Sequence, residues 1–273
     1  MVMTSTNALV VGGSGAVGSA VVNRLADDGC RVLSASRSLG LDREGVCCVT
    51  CDVLASNAGR TLRGAVEAEL GGCLDVLVWC AGTLGVITPT RSVTTDDMIR
   101  LYREHVTCFL EAVGELASFL DQSDTAAIIA FSGGGATAPF PRYTPYAAAK
   151  VALVRVIENL AEEEPTWRVN AIAPGFIASK MHDVTLAAGA EAVGSYFEET
   201  RTRLMDPVPP SAAADLVSFL ISPAGVGITG RLISAPWDPW ADVVWRERLR
   251  SHPTLGRLRR VDDQWVVDRR EGE

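Results

Sequence analysis

The chain of 273 residues, 48% hydrophobic and 21% charged, has an ordinary globular composition, which excludes a wholly disordered or fibrous protein. Its formal net charge of −8 argues against nucleic acid or an anionic membrane surface as the main partner. No stretch approaches the roughly 18 uninterrupted apolar residues of a membrane span, and Met1–Gly13 lacks the basic region of a leader, so a cytoplasmic protein is expected.

The first predicted element is the apolar run Asn7–Val11, a strand, followed by a glycine-rich turn. Apolar residues at helical spacing then mark Ala16–Asp28 as a helix that stops at Gly29. Arg31–Ala35 and Val46–Thr50 are the next strands. Cys47, Cys48 and Cys51 lie in this second apolar run with no second CxxC and no nearby histidine, so they are expected to pack as small hydrophobes and bind no metal. The odd total of seven cysteines fits a reduced compartment.

Ser56–Leu70 reads as an amphipathic helix ended by Gly71 and Gly72, and Leu74–Trp79 as a strand covered on both faces. A long helix is predicted from about Thr95 to Leu120, a strand at Ala126–Phe131, a second long helix at Pro145–Glu163 and a strand at Arg168–Ile172. A polar stretch rich in Gly and Ala follows, then a helix at Ser211–Ile221 and a last strand at Arg231–Ala235. Strand and helix alternate throughout. That order predicts an α/β fold of Rossmann type, a doubly wound parallel sheet with helices on both faces, in a single domain. Its core spans about residues 7–235; residues 236–273 form an extension rich in Trp and Arg (Trp237, Trp240, Trp245, Trp265). Two readings of that tail stay open: a cover for a cleft or subunit interface, or a segment packed on the body.

Gly12, Gly15 and Gly18 stand between the first strand and the first helix, where glycine permits a tight turn, close approach to a pyrophosphate and helix–strand packing. The amides of Ser14, Ala16 and Val17 at the helix start face the same place. The second strand ends in Ser36 and Arg37, with no carboxylate before Asp42 to hold a ribose 2′-hydroxyl. Serine and guanidinium suit a 2′-phosphate, so the predicted cofactor is NADP.

Tyr146 and Lys150, four residues apart, share one face of the helix that follows the fifth strand. A phenol is a poor acid–base group at neutral pH, and a nearby ammonium favours its ionised form. Together with Asp52-Val53, Cys80-Ala81-Gly82, Ser132 and the run Arg168–Gly175, these marks make the chain resemble the short-chain dehydrogenase/reductase family over about residues 7–235.

The resemblance implies Tyr146 as acid–base, Lys150 on the nicotinamide ribose and lowering the phenol pKa, and Ser132 on the substrate oxygen. It further implies Asp52 and Val53 at the adenine, and Pro174, Gly175, Ile177 and Ser179 along the nicotinamide. Three positions depart from the family pattern. Cys80 replaces an asparagine that braces the turn. His105 stands where the family's relay asparagine lies, either as a proton relay or as a packed helix residue. Gly133, thirteen residues before the tyrosine, occupies the usual serine position; Ser132 serves if the loop Gly133-Gly134-Gly135 carries one extra residue, and otherwise no serine helps.

The implied activity is reversible reduction of a small carbonyl substrate to an alcohol by a homodimer or homotetramer. The alternatives are an epimerase or dehydratase working through transient oxidation, and a non-catalytic NADP-binding scaffold. Residues 176–205 are expected to cover the substrate, with Phe140, Arg142, Tyr143, Met181 and Tyr196 lining its pocket.

Overall fold

Alternation along strand β1 (Asn7–Val11) sets the layers of this protein. Successive side chains of a strand point to opposite faces. Leu9 and Val11 enter one core with Leu33, Leu77 and Ile128. Ala8 and Val10 enter the other with Val32, Val76 and Ile129. Both faces are therefore apolar and both must be covered, the situation of parallel sheets. Burying each such aliphatic side chain contributes about 1.5–3 kcal/mol.

The computed structural model describes residues 6–38 and 43–260. Its seven strands are β1, β2 (Arg31–Ser36), β3 (Val46–Thr50), β4 (Val76–Trp79), β5 (Ala127–Phe131), β6 (Arg168–Ala173) and β7 (Arg231–Ser234). They form one parallel sheet in the order β3-β2-β1-β4-β5-β6-β7. Helices α1 (Ala16–Asp27) and α8 (Pro210–Ile221) cover the face holding Ala8 and Val10. Helices α2 (Ala58–Leu70), α4 (Cys108–Leu120) and α5 (Thr144–Glu163) cover the other. This is the Rossmann-type α/β fold that the order of elements predicts.

Strand order reverses between β1 and β4. At such a switch point the loops after neighbouring strands diverge and leave a crevice at the carboxyl ends of the strands.

The structure differs from the sequence reading in three places. The long helix expected over residues 95–120 is two helices, α3 (Thr95–Tyr102) and α4, joined by a π-helical turn at Arg103–Thr107. The stretch after Gly175 is not a simple covering loop. It holds α6 (Lys180–Val193), broken at Gly189, and α7 (Tyr196–Arg203). The tail forms α9 (Val243–Ser251).

Most of the described tail packs on the body. Leu249 is buried, the Trp240 indole N–H donates to the Ala235 carbonyl at 3.0 Å, and Leu232 N–H donates to the Gly256 carbonyl at 2.7 Å. That last bond gives the edge strand β7 a partner, which an exposed sheet edge otherwise lacks. Trp265 and Asp42 lie outside the described residues.

Among the described residues no helix is long and apolar enough to cross a membrane, and no group of three or more His, Cys, Asp or Glu is placed to hold a metal. Cys47 and Cys48 sit half-buried on β3, and Cys51 is buried beside Ala58.

Candidate active site

The loops after β1 to β6 line one groove of about 1230 Å³. Gly12 closes the first of them. Its N–H donates to the Ala35 carbonyl at 2.7 Å, and Gly15 N–H donates to the Gly12 carbonyl at 3.1 Å. Gly12 adopts φ +87°, and a Cβ there would stand 2.7 Å from Ala81 N and 2.8 Å from Cys80 C. Left-handed backbone and close contact both demand glycine. A Gly12→Ala variant is expected to lose several degrees of Tm and at least tenfold in dinucleotide affinity, since strain and overlap cost about 1–3 kcal/mol. A melting curve and a binding titration check this. A Cβ on Gly18 would overlap the Gly12 carbonyl, so helix α1 packs against the turn only through glycine.

The groove carries the features a dinucleotide needs. The start of α1 has no side-chain cap and no acidic residue in its first turn, leaving its N–H groups for an anion. A Cβ on Gly15 would meet only the Gly12 carbonyl, at 3.5 Å. Ser36 closes on the Ser38 carbonyl at 2.5 Å, Ser38 and Ser14 hydroxyls lie 3.5 Å apart, and the exposed Arg37 has no hydrogen-bond or ionic partner among the described residues. Asp52 accepts from Leu54 N–H at 3.1 Å.

Of the predicted cofactor residues, Ser14, Gly15, Ala16, Val17 and Gly18 line the groove after β1, Ser36 and Arg37 at β2, and Asp52 and Val53 after β3. Cys80, Ala81 and Gly82 line it after β4, and Pro174, Gly175, Ile177 and Ser179 after β6.

Tyr146 and Lys150 rise from the first turns of α5 into the middle of the groove. Both are nearly enclosed, 6% and 5% exposed. Lys150 Nζ donates to the Phe131 carbonyl at 2.7 Å and lies 5.6 Å from the Tyr146 ring centroid. Burial pulls the Lys150 pKa down to about 8, with Cys80 and Glu104 acting the other way. Burial, with a smaller contribution from Tyr196, pushes the Tyr146 phenol above its usual range. The resemblance leads one to expect a lowered phenol pKa; in the protein alone, desolvation raises it.

For His105, a relay or a packed helix residue by sequence, the surroundings are those of a packed residue. Alone among the predicted catalytic and cofactor-binding residues it does not line the groove; it lies wholly buried behind Tyr146, the two rings edge-on with centroids 5.4 Å apart. Its Nε2 is 2.8 Å from the Thr83 carbonyl, and a carbonyl only accepts, so Nε2 carries the proton. Nδ1 has no partner among the described residues. Burial, with Lys150 nearby, holds the His105 pKa at about 3, so the ring stays neutral at physiological pH. A Cβ on Gly82 would overlap this ring.

A Cβ built on Gly133 would overlap the Tyr146 hydroxyl, so the phenol encroaches on the space that a side chain at that position would need. Ser132 lines the groove, is 4% exposed and its Oγ has no partner among the described residues.

At the substrate end, Phe140, Met181 and Tyr196 line the groove, whereas Arg142 and Tyr143 do not. Tyr143 is fully buried beneath Phe140, stacked at 4.2 Å, with its hydroxyl donating to Thr185. Arg142 turns away in a left-handed conformation, φ +74°. Trp237, 67% exposed, joins the rim from the tail.

Thr83 and Glu104 were missed from sequence. The available signal was the pair Glu104-His105, two polar residues inside an otherwise apolar helical face of Leu101, Val106 and Phe109.

The profile of the family described as short chain dehydrogenase matches residues 6–188. A tropinone reductase homolog from Datura stramonium is 28% identical over 238 residues, covering 83% of this chain and 88% of the relative. Dehydrogenase/reductase SDR family member 4 from Sus scrofa is also 28% identical, covering 83% and 84%. Among solved structures, an actinorhodin polyketide ketoreductase with NADPH superposes with TM-score 0.72 at 23% identity, over 84% of this chain and 95% of that one.

Proposed function

The chain belongs to the short-chain dehydrogenase family, and on that premise we propose that it is an NADP(H)-dependent ketoreductase acting on a small or medium-sized carbonyl substrate. The observation that carries this reading is the meeting of Tyr146, Lys150 and Ser132 with the Gly12 turn in one groove.

NADPH, when bound, supplies the hydride. The N–H groups at the start of α1 would hold its pyrophosphate, Asp52 and Val53 its adenine, and Arg37 with Ser36 its 2′-phosphate, while Pro174, Gly175, Ile177 and Ser179 would hold the nicotinamide. Ser132 Oγ, buried and without a partner, holds the substrate oxygen. Tyr146 passes its proton to that oxygen, and the Lys150 ammonium steadies the phenolate left behind. His105 keeps the Tyr146 ring in place; as a neutral ring with Nε2–H committed to Thr83, it relays no proton.

The test is NADPH consumption over a panel of ketones and aldehydes, with product identified as the alcohol. Turnover without net NADP⁺ would favour transient oxidation in an epimerase or dehydratase, and binding without turnover a scaffold. Arg37→Ala is expected to weaken NADPH binding by about 10- to 100-fold, the loss of a charge-assisted pairing, and to leave NADH binding unchanged. Equal loss for both cofactors would refute the 2′-phosphate assignment.

A homo-oligomer within the cytoplasm completes the proposal. Ile99, Tyr102, Leu110 and Val151 leave apolar surface exposed on α3, α4 and α5, and sedimentation of the purified chain tests it.

A further inference from the structure

Beside the Tyr146–Lys150 pair lies a carboxyl group that the chemistry above leaves idle. Glu104 is 5% exposed, lines the groove and accepts a hydrogen bond from Thr83 Oγ1 at 2.7 Å. Burying such a group is costly unless it is held and its charge is matched.

The π-helical turn accounts for its placement. It carries Glu104, His105 and Val106 inward together, three consecutive buried residues. Turns of this kind recur at functional sites. Thr83 then grips both polar members: its carbonyl accepts from His105 and its hydroxyl donates to Glu104.

The groups around Lys150 come from four segments: Tyr146 from its own helix, Cys80 from the loop after β4, Glu104 and His105 from the turn, and the Phe131 carbonyl from β5. Burial keeps the Cys80 thiol and the Tyr146 phenol protonated, and His105 is neutral. Glu104 is the one carboxyl group among them. Glu104 itself accepts from Thr83 and is sensed by the Cys108 thiol, which also senses Glu111, Arg103 and Asp52.

We propose that Glu104 is a positioning residue of the proton path, its carboxylate keeping the Lys150 ammonium charged while Tyr146 exchanges its proton. Burial alone works against that charge, and Glu104 opposes burial. The inference rests on the oxidoreductase reading of the same groove.

The test is the pH profile of kcat for carbonyl reduction in the full chain. With the carboxylate gone, the Lys150 pKa falls, so its charge is lost at lower pH. Glu104→Gln is therefore expected to move the alkaline limb down by about one pH unit, with NADPH binding and Tm near wild type. Glu104→Asp, which keeps the charge, restores the limb most of the way. A Glu104→Gln profile that superimposes on wild type overturns the proposal, as does a uniform loss at every pH shared by Gln and Asp, the mark of a packing role. If Glu104→Gln does not fold, Thr83→Val removes only the hydroxyl that holds the carboxylate and should move the limb the same way; an unmoved limb there also overturns it. A fully active Tyr146→Phe would instead bring down the assignment of Tyr146 as proton donor, and an absence of NADPH-dependent carbonyl reduction in the wild type would bring down the oxidoreductase reading.

Discussion

Tyr146→Phe is expected to lower kcat for carbonyl reduction by about 10³-fold and to leave NADPH affinity unchanged. The reason is local. The ring is held by His105 on one side and Phe140 on another, with centroids 5.4 and 6.4 Å away, and neither contact needs the hydroxyl. Lys150 keeps its own anchor on the Phe131 carbonyl. The variant therefore removes one proton donor from an otherwise intact site. Single-turnover kinetics with bound NADPH read the chemical step directly, and a variant retaining full turnover would show that the phenol is not the proton donor.

Gly133→Ala should be nearly as damaging, for a steric reason. Gly133 has an ordinary backbone conformation, so alanine brings no φ penalty. The new methyl group would overlap the Tyr146 hydroxyl, and either the phenol or the loop has to move. A displacement near 1 Å at the reacting group costs on the order of 100-fold in rate.

Gly134→Ala is the control. A Cβ there meets nothing closer than Phe140 at 3.8 Å, so kcat should stay within about twofold, the scale of an ordinary surface substitution. Equal kcat in the two variants would mean that the position of the phenol relative to Gly133 does not matter. Placing the usual serine at 133 meets the same obstacle.

Most of the architecture was legible along the chain because its signals are local. Val46–Thr50 and Arg168–Ile172 read as strands from their apolar runs, and Gly29 and Gly71 end helices where the chain needs a turn. The glycine-rich turn and the Tyr146/Lys150 spacing were legible for the same reason. Helices α6 and α7 were not, because their apolar faces are weak and Gly189 and Gly194 interrupt them. The π-helical turn left no periodic trace, since one helical pattern runs through Thr95–Leu120 on either side of it. Arg142 and Tyr143 looked like pocket residues by composition, yet stacking on Phe140 buries one and a left-handed backbone turns the other away.

Sequence alone thus settles the order of elements, the layered sheet they build and the residue types brought to its carboxyl edge, all consequences of periodicity and of short-range turn chemistry. Only the tertiary structure decides what those residues can do. Thr83, Glu104, His105, Gly133, Tyr146 and Lys150 come from four separate segments, and their distances exist only after the sheet has closed. Desolvation follows from the same packing: it keeps His105 neutral, holds the Tyr146 phenol high, brings Lys150 to about 8 and leaves Glu104 as the carboxyl group beside it. No local pattern encodes a pKa that is set by what surrounds the group on every side.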